Sequence, residues 1–566
     1  MPGLRDFKGI EGSNFFEEDR GLQKILSSLI SPADREGVFA SLVECGALVG
    51  GRWNELASEA SRVDNLPRII KQDRIGSAVE RVDFGPLTRQ LRREVAEFGV
   101  LTKTRNDLHR FAIVYLLAHN GEGSVNCGLS CTDGLIRAIE ANGSDFLRKN
   151  YLHMLRSAET PLAGAQFVTE QDGGSDVGAI ETKALLNADG SWSITGEKWF
   201  CSNPDEYFLV AARPQGASPG TAGVAVFLVP RVLPGGKVNA ISFRRLKNKL
   251  GTQSLPTAEI DFEGATGWAI GPMDEGFKTL MNYVINVSRI HNAANACGFL
   301  HRAFLEARNY ARQRETFGRP LIASPLIQET LVGLLEKLWR YRLVTFKLVA
   351  LVDQNGLAPT DADQRMWQRF LINLAKYRTG ATLTNSVREA ILILGGNGIV
   401  EDFSVLPRLL RDSMIIETWE GPHNTLCLQI MRDAARSDLV GRWQSEVRAA
   451  IENWPREFLS STRAGCEEEL AKMTRALAPE RRSDLRWVST HARRLVDRMG
   501  LLLEIAWLAE TASRAGESTP ALLASASAFF QLSGDEKLEH PFQSILTELG
   551  AMLIDESPIN VEVSRL

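Results

Sequence analysis

Phe167-Val168-Thr169-Glu170-Gln171-Asp172-Gly173-Gly174-Ser175-Asp176 is the stretch at which the chain changes character. A short apolar run ends in a threonine hydroxyl, an acid and then paired glycines. A strand that ends in this way carries a hydroxyl and backbone amides into a cleft, and the glycines allow a close backbone approach that a Cβ would block. The same residues also make an ordinary turn. The sequence on either side decides between the two.

Upstream the pattern is helical. Residues 1 to about 60 carry short helical patterns, and apolar residues three and four apart return at Pro86 to Phe98, Lys103 to Ala118 and Thr132 to Asn142. Between them Leu66-Pro67-Arg68-Ile69-Ile70-Lys71-Gln72-Asp73-Arg74-Ile75-Gly76 reads as an extended connector, because proline biases its predecessor away from helix and glycine ends the run. Downstream, runs at the period of strands follow at Gln166 to Thr169, Glu181 to Leu186, Ser191 to Thr195, Tyr207 to Ala212, Val224 to Val229, Ala240 to Arg244 and Ala258 to Phe262, with turns such as Asn187-Ala188-Asp189-Gly190 between them. After Gly276 long helical segments return near Phe277 to Gln313, Pro325 to Gln354 and Asp361 to Leu394, and a bundle is the natural way to bury their faces. From about residue 435 the helices continue, with breaks expected at Pro479 and Pro520. The expectation is an α+β, mainly helical chain with an N-terminal helical domain (1–160), a small central all-β domain (161–268), a C-terminal helical bundle (269–434) and a helical extension (435–566).

Composition sets the outer limits. The chain has 566 residues, 44% apolar and 24% charged, which is ample material for several cores. A formal charge of −4 gives no electrostatic reason to expect a nucleic-acid partner over the whole chain. No uninterrupted apolar run reaches the ~18 to 20 residues that span a bilayer, and the first residues lack a basic-then-apolar signal, so a cytoplasmic protein is expected. The seven cysteines, at 45, 127, 131, 201, 297, 427 and 466, are odd in number and scattered, which favours reduced thiols. Cys127 and Cys131 could share a helix face, but nothing nearby has zinc-like spacing, and no metal is expected.

A second stretch carries candidate chemistry: Ile416-Glu417-Thr418-Trp419-Glu420-Gly421-Pro422-His423-Asn424-Thr425. Glu420 follows an aromatic that can shed water and precedes a glycine that leaves one face open. A carboxylate in a dry pocket has its charged form disfavoured, and its pKa can rise toward the range useful to a general base. The bland alternative is that a Glu-Gly pair after an apolar run marks only the end of a helix or strand.

With the order helices, β-domain and bundle, these motifs resemble the acyl-CoA dehydrogenase family, which implies a β-barrel-like central domain and a four-helix bundle after it. The 167–176 stretch resembles its flavin loop, which implies cofactor contacts at Phe167, Val168, Thr169, Gly174 and Ser175, the last also touching the pantetheine of the substrate. Gly196-Glu197-Lys198-Trp199-Phe200-Cys201-Ser202-Asn203 resembles the second flavin segment, with Phe200 for the usual tryptophan and Ser202 for the usual threonine. Arg314-Glu315-Thr316-Phe317-Gly318 and Gln328 resemble the segment through which a neighbouring subunit contacts the diphosphate and adenosine of FAD, a role that suits arginine because its planar fork meets phosphate oxygens in pairs. Gly395-Gly396-Asn397-Gly398 resembles the glycine turn beside the adenine half, although Leu392 stands where the family often has glutamine. Trp419-Glu420-Gly421 matches the family's aromatic, glutamate, glycine signature, and Pro422 and Asn424 take the following positions toward the flavin. The matches span about residues 60 to 435. The 66–76 connector, the form of the second flavin segment, Arg244-Arg245-Leu246-Lys247-Asn248-Lys249-Leu250-Gly251 and the extension make the AidB-like, alkylation-response branch the nearest in character.

The resemblance implies an FAD-dependent oxidoreductase of fatty acid metabolism acting on CH–CH bonds. Glu420 would take the α-proton of an acyl-CoA or related thioester while the β-hydrogen leaves as hydride to flavin N5. The thioester carbonyl would be bonded by the backbone amide of Glu420 and a ribityl hydroxyl. Some relatives draw the base from the long helix just before an arginine; that residue is Ser288 here, which leaves Glu420 as the base. Asn286 and Arg289, with Ser175 and Gly421, are the expected substrate contacts, Asn286 replacing the usual aspartate. Leu116, Leu117, His119 and the loop from Asn120 to Ser124 are candidates for the border of the acyl cavity. A homotetramer or homodimer and an acceptor such as an electron-transfer flavoprotein are implied as partners. The alternative is an AidB-like flavoprotein with weak or vestigial dehydrogenase activity that protects DNA or sequesters an acyl ligand. Against DNA, residues 435–566 hold 16 Lys and Arg and 20 Asp and Glu, and the stripe Arg475, Arg481, Arg482, Arg486, Arg493, Arg494 and Arg498 is interrupted by acids, the pattern of a solvated or ion-paired face.

Overall fold

The structure is a computed structural model that describes residues 7–454, 460–515, 518–532 and 542–556. The chain divides into two compact units, one of residues 52–291 and the other of residues 1–51 with 292–566.

In the 52–291 unit the connector is extended, as expected. It forms the strand Arg68–Gln72, which pairs antiparallel with Ala78–Asp83. Helices Pro86–Phe98, Asp107–Leu117, Asn126–Asn142 and Asp145–Leu155 follow. The strands then close on themselves. Tyr207–Pro214 pairs with Lys183–Leu186 on one side and Ala225–Pro230 on the other, and the ring continues through Trp192–Ser202 and Thr257–Ala269 back to Ala225–Pro230. A closed sheet leaves few exposed edges. Along Tyr207–Pro214, Phe208, Val210 and Ala212 enter one core with Phe167, Phe227 and Phe262, while Tyr207, Leu209 and Ala211 enter a second with Leu135, Leu147 and Tyr151. The period of two thus explains why this strand is apolar throughout: both its faces are covered.

Two strands exceed their expected lengths. Trp192–Ser202 runs through the 196–203 stretch up to its last residue, and Thr257–Ala269 accompanies it. Register shifts at Ile194/Thr195 and Lys198/Cys201, with Gly196 at φ +147°, break the alternation that would have marked one long strand. Gly276 opens a short helix pressed onto the barrel; a Cβ there would lie 2.4 Å from Ala225 Cα and 2.5 Å from the Val224 carbonyl oxygen. Both obstacles are backbone. Gly276→Ala is expected to cost about 1–3 kcal/mol by overpacking, read as a lower denaturant midpoint with unchanged m-value.

That short helix passes through a π-helical segment, Leu280–Ile285, into Asn286–Gln313. π turns insert a residue and rotate the side chains that follow, and they recur at functional sites.

The other unit is a helical bundle. Ala362–Leu394 packs against Pro325–Asn355, Leu406–Thr418 and His423–Arg436, Asn292 and Cys297 of Asn286–Gln313 reach Ile416 and Thr345, and the N-terminal helix Arg20–Leu29 packs on Pro325–Asn355. The helices of the extension pack on this bundle. Leu485–Ala515 lies against Pro325–Asn355 and His423–Arg436, and Trp443 and Trp454 donate their indole N–H groups to the Met499 and Ala506 carbonyls at 3.0 and 3.2 Å. Pro479 opens a short helix as expected, whereas Pro520 sits inside the first turn of Ser518–Gln531. There a missing N–H costs nothing. Among the described residues no helix is long and apolar enough to cross a membrane, no His, Cys, Asp and Glu group could hold a metal, and the seven cysteines are unpaired and buried.

Candidate active site

In the 52–291 unit the two flavin-like segments, thirty residues apart in sequence, meet as neighbouring backbone. Trp199 N–H donates to the Thr169 carbonyl at 2.9 Å. Beneath this contact lies a charged clamp: Lys198 Nζ donates to Glu170 Oε1 at 2.6 Å and to the Val168 carbonyl at 3.1 Å. The Glu170 carboxylate also accepts from the Glu181 and Thr182 amides at 2.6 and 3.1 Å and from the Thr182 hydroxyl at 2.6 Å. Burial raises the Glu170 pKa, but the Lys198 charge and these donors outweigh it and hold the carboxyl below its usual range. Glu170 and Gly173 exchange backbone hydrogen bonds across a tight turn, which leaves Gly174 and Ser175 exposed.

The residues expected at the cofactor separate into two sets here. Thr169 and Ser202 are partly exposed, with the Ser202 hydroxyl 3.0 Å from that of Thr257. Phe200 is 54% exposed, a large apolar face on the surface of this unit. Lys247 Nζ stands 3.4 Å from the centre of the Trp199 ring and 4.7 Å from that of Phe200. The side chain of Phe167 does the opposite. It is fully buried in the barrel core, 4.9 Å from the Phe208 ring, so a side-chain contact from Phe167 to a ligand is corrected to a packing role. Strand alternation puts its neighbour Gln166 on the other face, where the Gln166 amide lies 3.2 Å from the Ser288 hydroxyl and Ser288 also meets Ser130 at 3.2 Å. Val168, one residue on, is partly buried.

Asn286 begins the long helix right after the π segment, and both Asn286 and Arg289 are buried. Arg289 is therefore not a helix-surface cation. Near it, His291 Nε2 lies 3.0 Å from Asp133, whose carboxylate also pairs with Arg110 and Arg137. The loop before Asn126–Asn142 is closed on itself: the Glu122 carboxylate accepts from the Ser124 and Cys127 amides at 2.7 and 3.0 Å, and the His119 ring contacts the Tyr115 and Leu116 carbonyls. His119 is held as part of the core.

In the bundle unit, Arg314 precedes a two-strand hairpin, Glu315–Thr316 with Arg319–Pro320. Its turn residues Phe317 and Gly318 have φ of +53° and +79°, the primed geometry of tight hairpins. Phe317 is fully exposed at the tip. Gln328 donates to the Ile322 carbonyl at 2.9 Å. Gly395, at φ +60°, and Gly396 are exposed in the turn that ends Ala362–Leu394, and Asn397 Nδ2 donates to the Tyr310 hydroxyl at 3.1 Å. The glycine turn and the end of the helix that leads to Arg314 are thereby joined.

Glu420 stands between two helices, Leu406–Thr418 and His423–Arg436. It is half-buried, like Trp419, and has φ +56°, a left-handed backbone rare for a residue with a side chain; Gly421 follows at φ +105°. Three side chains fasten this loop. Asn292 Nδ2 donates to the Ile416 carbonyl at 3.1 Å, Lys376 Nζ donates to the carbonyls of Glu417 and Gly421 at 2.9 Å each, and the Thr384 hydroxyl donates to the Glu417 carboxylate. Pro422 is the N-cap of the second helix, with an extended backbone at φ −61° that its ring accepts, and Asn424 is exposed in the first turn.

His423 packs edge-on against Tyr377 at 5.5 Å. Burial and the charges of Lys376 and Arg493 push its imidazole down to about 4, so it is neutral near pH 7. The unfolded chain, with an ordinary histidine pKa, binds more protons between pH 6.5 and about 4, and stability falls as pH drops through that window. His423→Gln is expected to flatten this slope in denaturant unfolding compared at pH 7 and at acid pH. In the extension stripe, Arg482 donates to the Ala434 carbonyl, Arg493 to the Tyr377 hydroxyl, and Arg498 pairs with Glu469.

Comparison with known proteins agrees with this architecture. Residues 165–265 match the family model "Acyl-CoA dehydrogenase, middle domain" and residues 274–435 match "Acyl-CoA dehydrogenase, C-terminal domain". The chain is similar to "Acyl-CoA dehydrogenase family member 11" of Caenorhabditis elegans, 30% identical over 438 residues that cover 74% of this chain and 70% of that protein. It is 34% identical over 314 residues to "Putative acyl-CoA dehydrogenase AidB" of Escherichia coli, covering 55% of this chain and 56% of that one. Among solved structures, Caenorhabditis elegans ACDH-11 in complex with C11-CoA superposes with a TM-score of 0.84 at 25% identity, over 100% of this chain and 95% of that one. Barrel, bundle and these matches thus lead to one conclusion: the chain belongs to the acyl-CoA dehydrogenase family of FAD-dependent oxidoreductases.

Proposed function

We propose that the protein oxidises an acyl thioester, with Glu420 as the base that removes the α-proton. The observation that carries this reading is the state of the two possible base positions. Glu420 is half-buried on a left-handed backbone in a loop fastened from three sides, whereas Ser288 is buried and spends its hydroxyl on Ser130 and Gln166. A carboxylate can take a proton; a serine tied to two neutral partners cannot.

The residues of the 52–291 unit fit FAD. Phe200 offers an exposed apolar face, Thr169 and Ser202 offer hydroxyls, and the Gly173-Gly174 turn leaves backbone open. FAD, when bound, supplies the acceptor for the β-hydrogen. In this reading Ser175, Asn286, Arg289 and Gly421 hold the thioester and its carrier, and the amide of Glu420 bonds the thioester carbonyl, so that charge developing on that oxygen meets a fixed donor. The C11-CoA complex of the Caenorhabditis elegans protein supports a fatty acyl-CoA as ligand. Arg314, Thr316, Phe317, Gln328, Gly395 and Gly396 serve the adenosine half of FAD from a neighbouring subunit. The exposed Phe317, Leu326, Leu392, Ile399 and Val400 support such an assembly, a homotetramer or homodimer, because apolar surface of this kind is usually covered. Electrons would leave to an electron-transfer flavoprotein or similar acceptor.

The test is anaerobic titration of the FAD-loaded protein with saturated acyl-CoAs of several chain lengths, followed by flavin absorbance. Bleaching by at least one of them is expected. Tight binding of acyl-CoA without bleaching by any of them would overturn oxidation and leave ligand sequestration as the function.

A further inference from the structure

We propose that Lys376 is the positioning residue that holds Glu420 in its working backbone conformation. The proposal rests on the reading of Glu420 as the base. Lys376 lies in the middle of the Ala362–Leu394 helix, its side chain fully buried, and its ammonium reaches the carbonyls of Glu417 and Gly421, one on each side of Glu420, at 2.9 Å each. The Glu417 carbonyl belongs to the last turn of Leu406–Thr418, where helix carbonyls lack intrahelical partners and the helix dipole favours a cation. The Gly421 carbonyl lies beyond the two consecutive residues with positive φ, +56° at Glu420 and +105° at Gly421.

A left-handed residue with a Cβ persists only where its surroundings over-determine it, and such outliers gather at functional sites. Here the surrounding is a charge. Burying an ammonium is costly unless it is well bonded, and a neutral side chain could fill the same space. What the ammonium adds is a bracket that ties the Glu417 carbonyl, in the helix turn before the left-handed pair, to the Gly421 carbonyl at the end of that pair. Glu420 has two tasks in the proposed reaction, to accept a proton through its carboxylate and to bond the thioester carbonyl through its N–H. Both groups hang on the same φ and ψ, so a loop free to relax from φ +56° would misplace them together. Lys376 itself takes no proton from the substrate.

Two measurements on the FAD-loaded protein test this. The first is hydrogen exchange of the peptide spanning residues 417–422, which is expected to speed up in Lys376→Met and to stay at the wild-type rate in Glu420→Gln. The second is the first-order rate of flavin reduction by an acyl-CoA that bleaches the wild type. Lys376→Met is expected to lower it by about 10²-fold while the half-saturating concentration changes little, because a misplacement on the order of 1 Å costs about that much. Lys376→Gln, which keeps one amide donor and buries no charge, is expected to recover part of the rate, and it replaces Lys376→Met if the latter does not fold. Unchanged exchange in both variants overturns the proposal. Faster exchange with an unchanged reduction rate also overturns it, because the bracket would then be structural only. Failure of the underlying reading looks different: Glu420→Gln would reduce as fast as wild type, or no thioester would bleach the wild type. In either case positioning for this reaction falls with it.

Discussion

Glu420→Gln is expected to lower the rate of flavin reduction by an acyl thioester by roughly 10²- to 10⁴-fold, the usual contribution of a positioned general base, while substrate affinity stays close to wild type. Glutamine has the shape of glutamate and can hold the same backbone, so the N–H proposed for the thioester carbonyl remains. What it loses is the ability to accept a proton. The separation of rate from affinity is the informative part. A fall in both together would mean that the loop had collapsed, and hydrogen exchange over residues 417–422 distinguishes the two. No change in rate would place the base elsewhere. Ser288 could not take over, because it is buried between Ser130 and Gln166.

Arg340→Met is expected to destabilise the bundle unit by about 3–5 kcal/mol, the cost of leaving the buried Glu336 carboxylate without its arginine and Glu504 with one of its two. Arg340, on Pro325–Asn355, pairs with Glu336 at 2.6 Å and with Glu504 on Leu485–Ala515; Arg378, on Ala362–Leu394, pairs with Glu504 at 2.9 Å. The side chains of Arg340, Glu336 and Glu504 are each at most 1% exposed. Burial raises the Glu504 pKa, but the charges of Arg378 and Arg340 outweigh it and hold the carboxyl below its ordinary range. Its stabilising share is therefore present above the usual carboxylate range and is lost as pH falls through the depressed folded value. Denaturant unfolding of Arg340→Met reads the loss. Adding Glu336→Gln should recover part of it, since the carboxylate left without its arginine is then no longer charged, while Glu504 keeps Arg378. An undiminished midpoint in Arg340→Met would show that Glu504 docks through Arg378 alone. The network also gives the extension a physical role: its helices share a charged core with the bundle helix that carries Lys376.

The sequence by itself determined the elements and pointed to the family. Helix period, strand period and turn residues are local properties, so the Pro86–Phe98 helix, the order of the barrel strands and the long bundle helices could be read from them. Motif spacing pointed to the family for the same reason, because Thr169, Gly174, Ser202 and Glu420 each sit in a short stretch of constrained type. Only the tertiary structure decided which face a side chain takes and which distant residue it meets. A shift of one residue turns a strand side chain to the opposite face, so Phe167 goes into the core and Gln166 to Ser288, and nothing in the local letters chooses between them. The Glu170–Lys198 clamp and the bracket of Lys376 around Glu420 join residues 28 and 41 to 45 positions apart, at helix and strand faces that periodicity marks only as buried. A buried lysine leaves no signature in sequence, because what makes it tolerable is a pair of backbone carbonyls, and every residue has one.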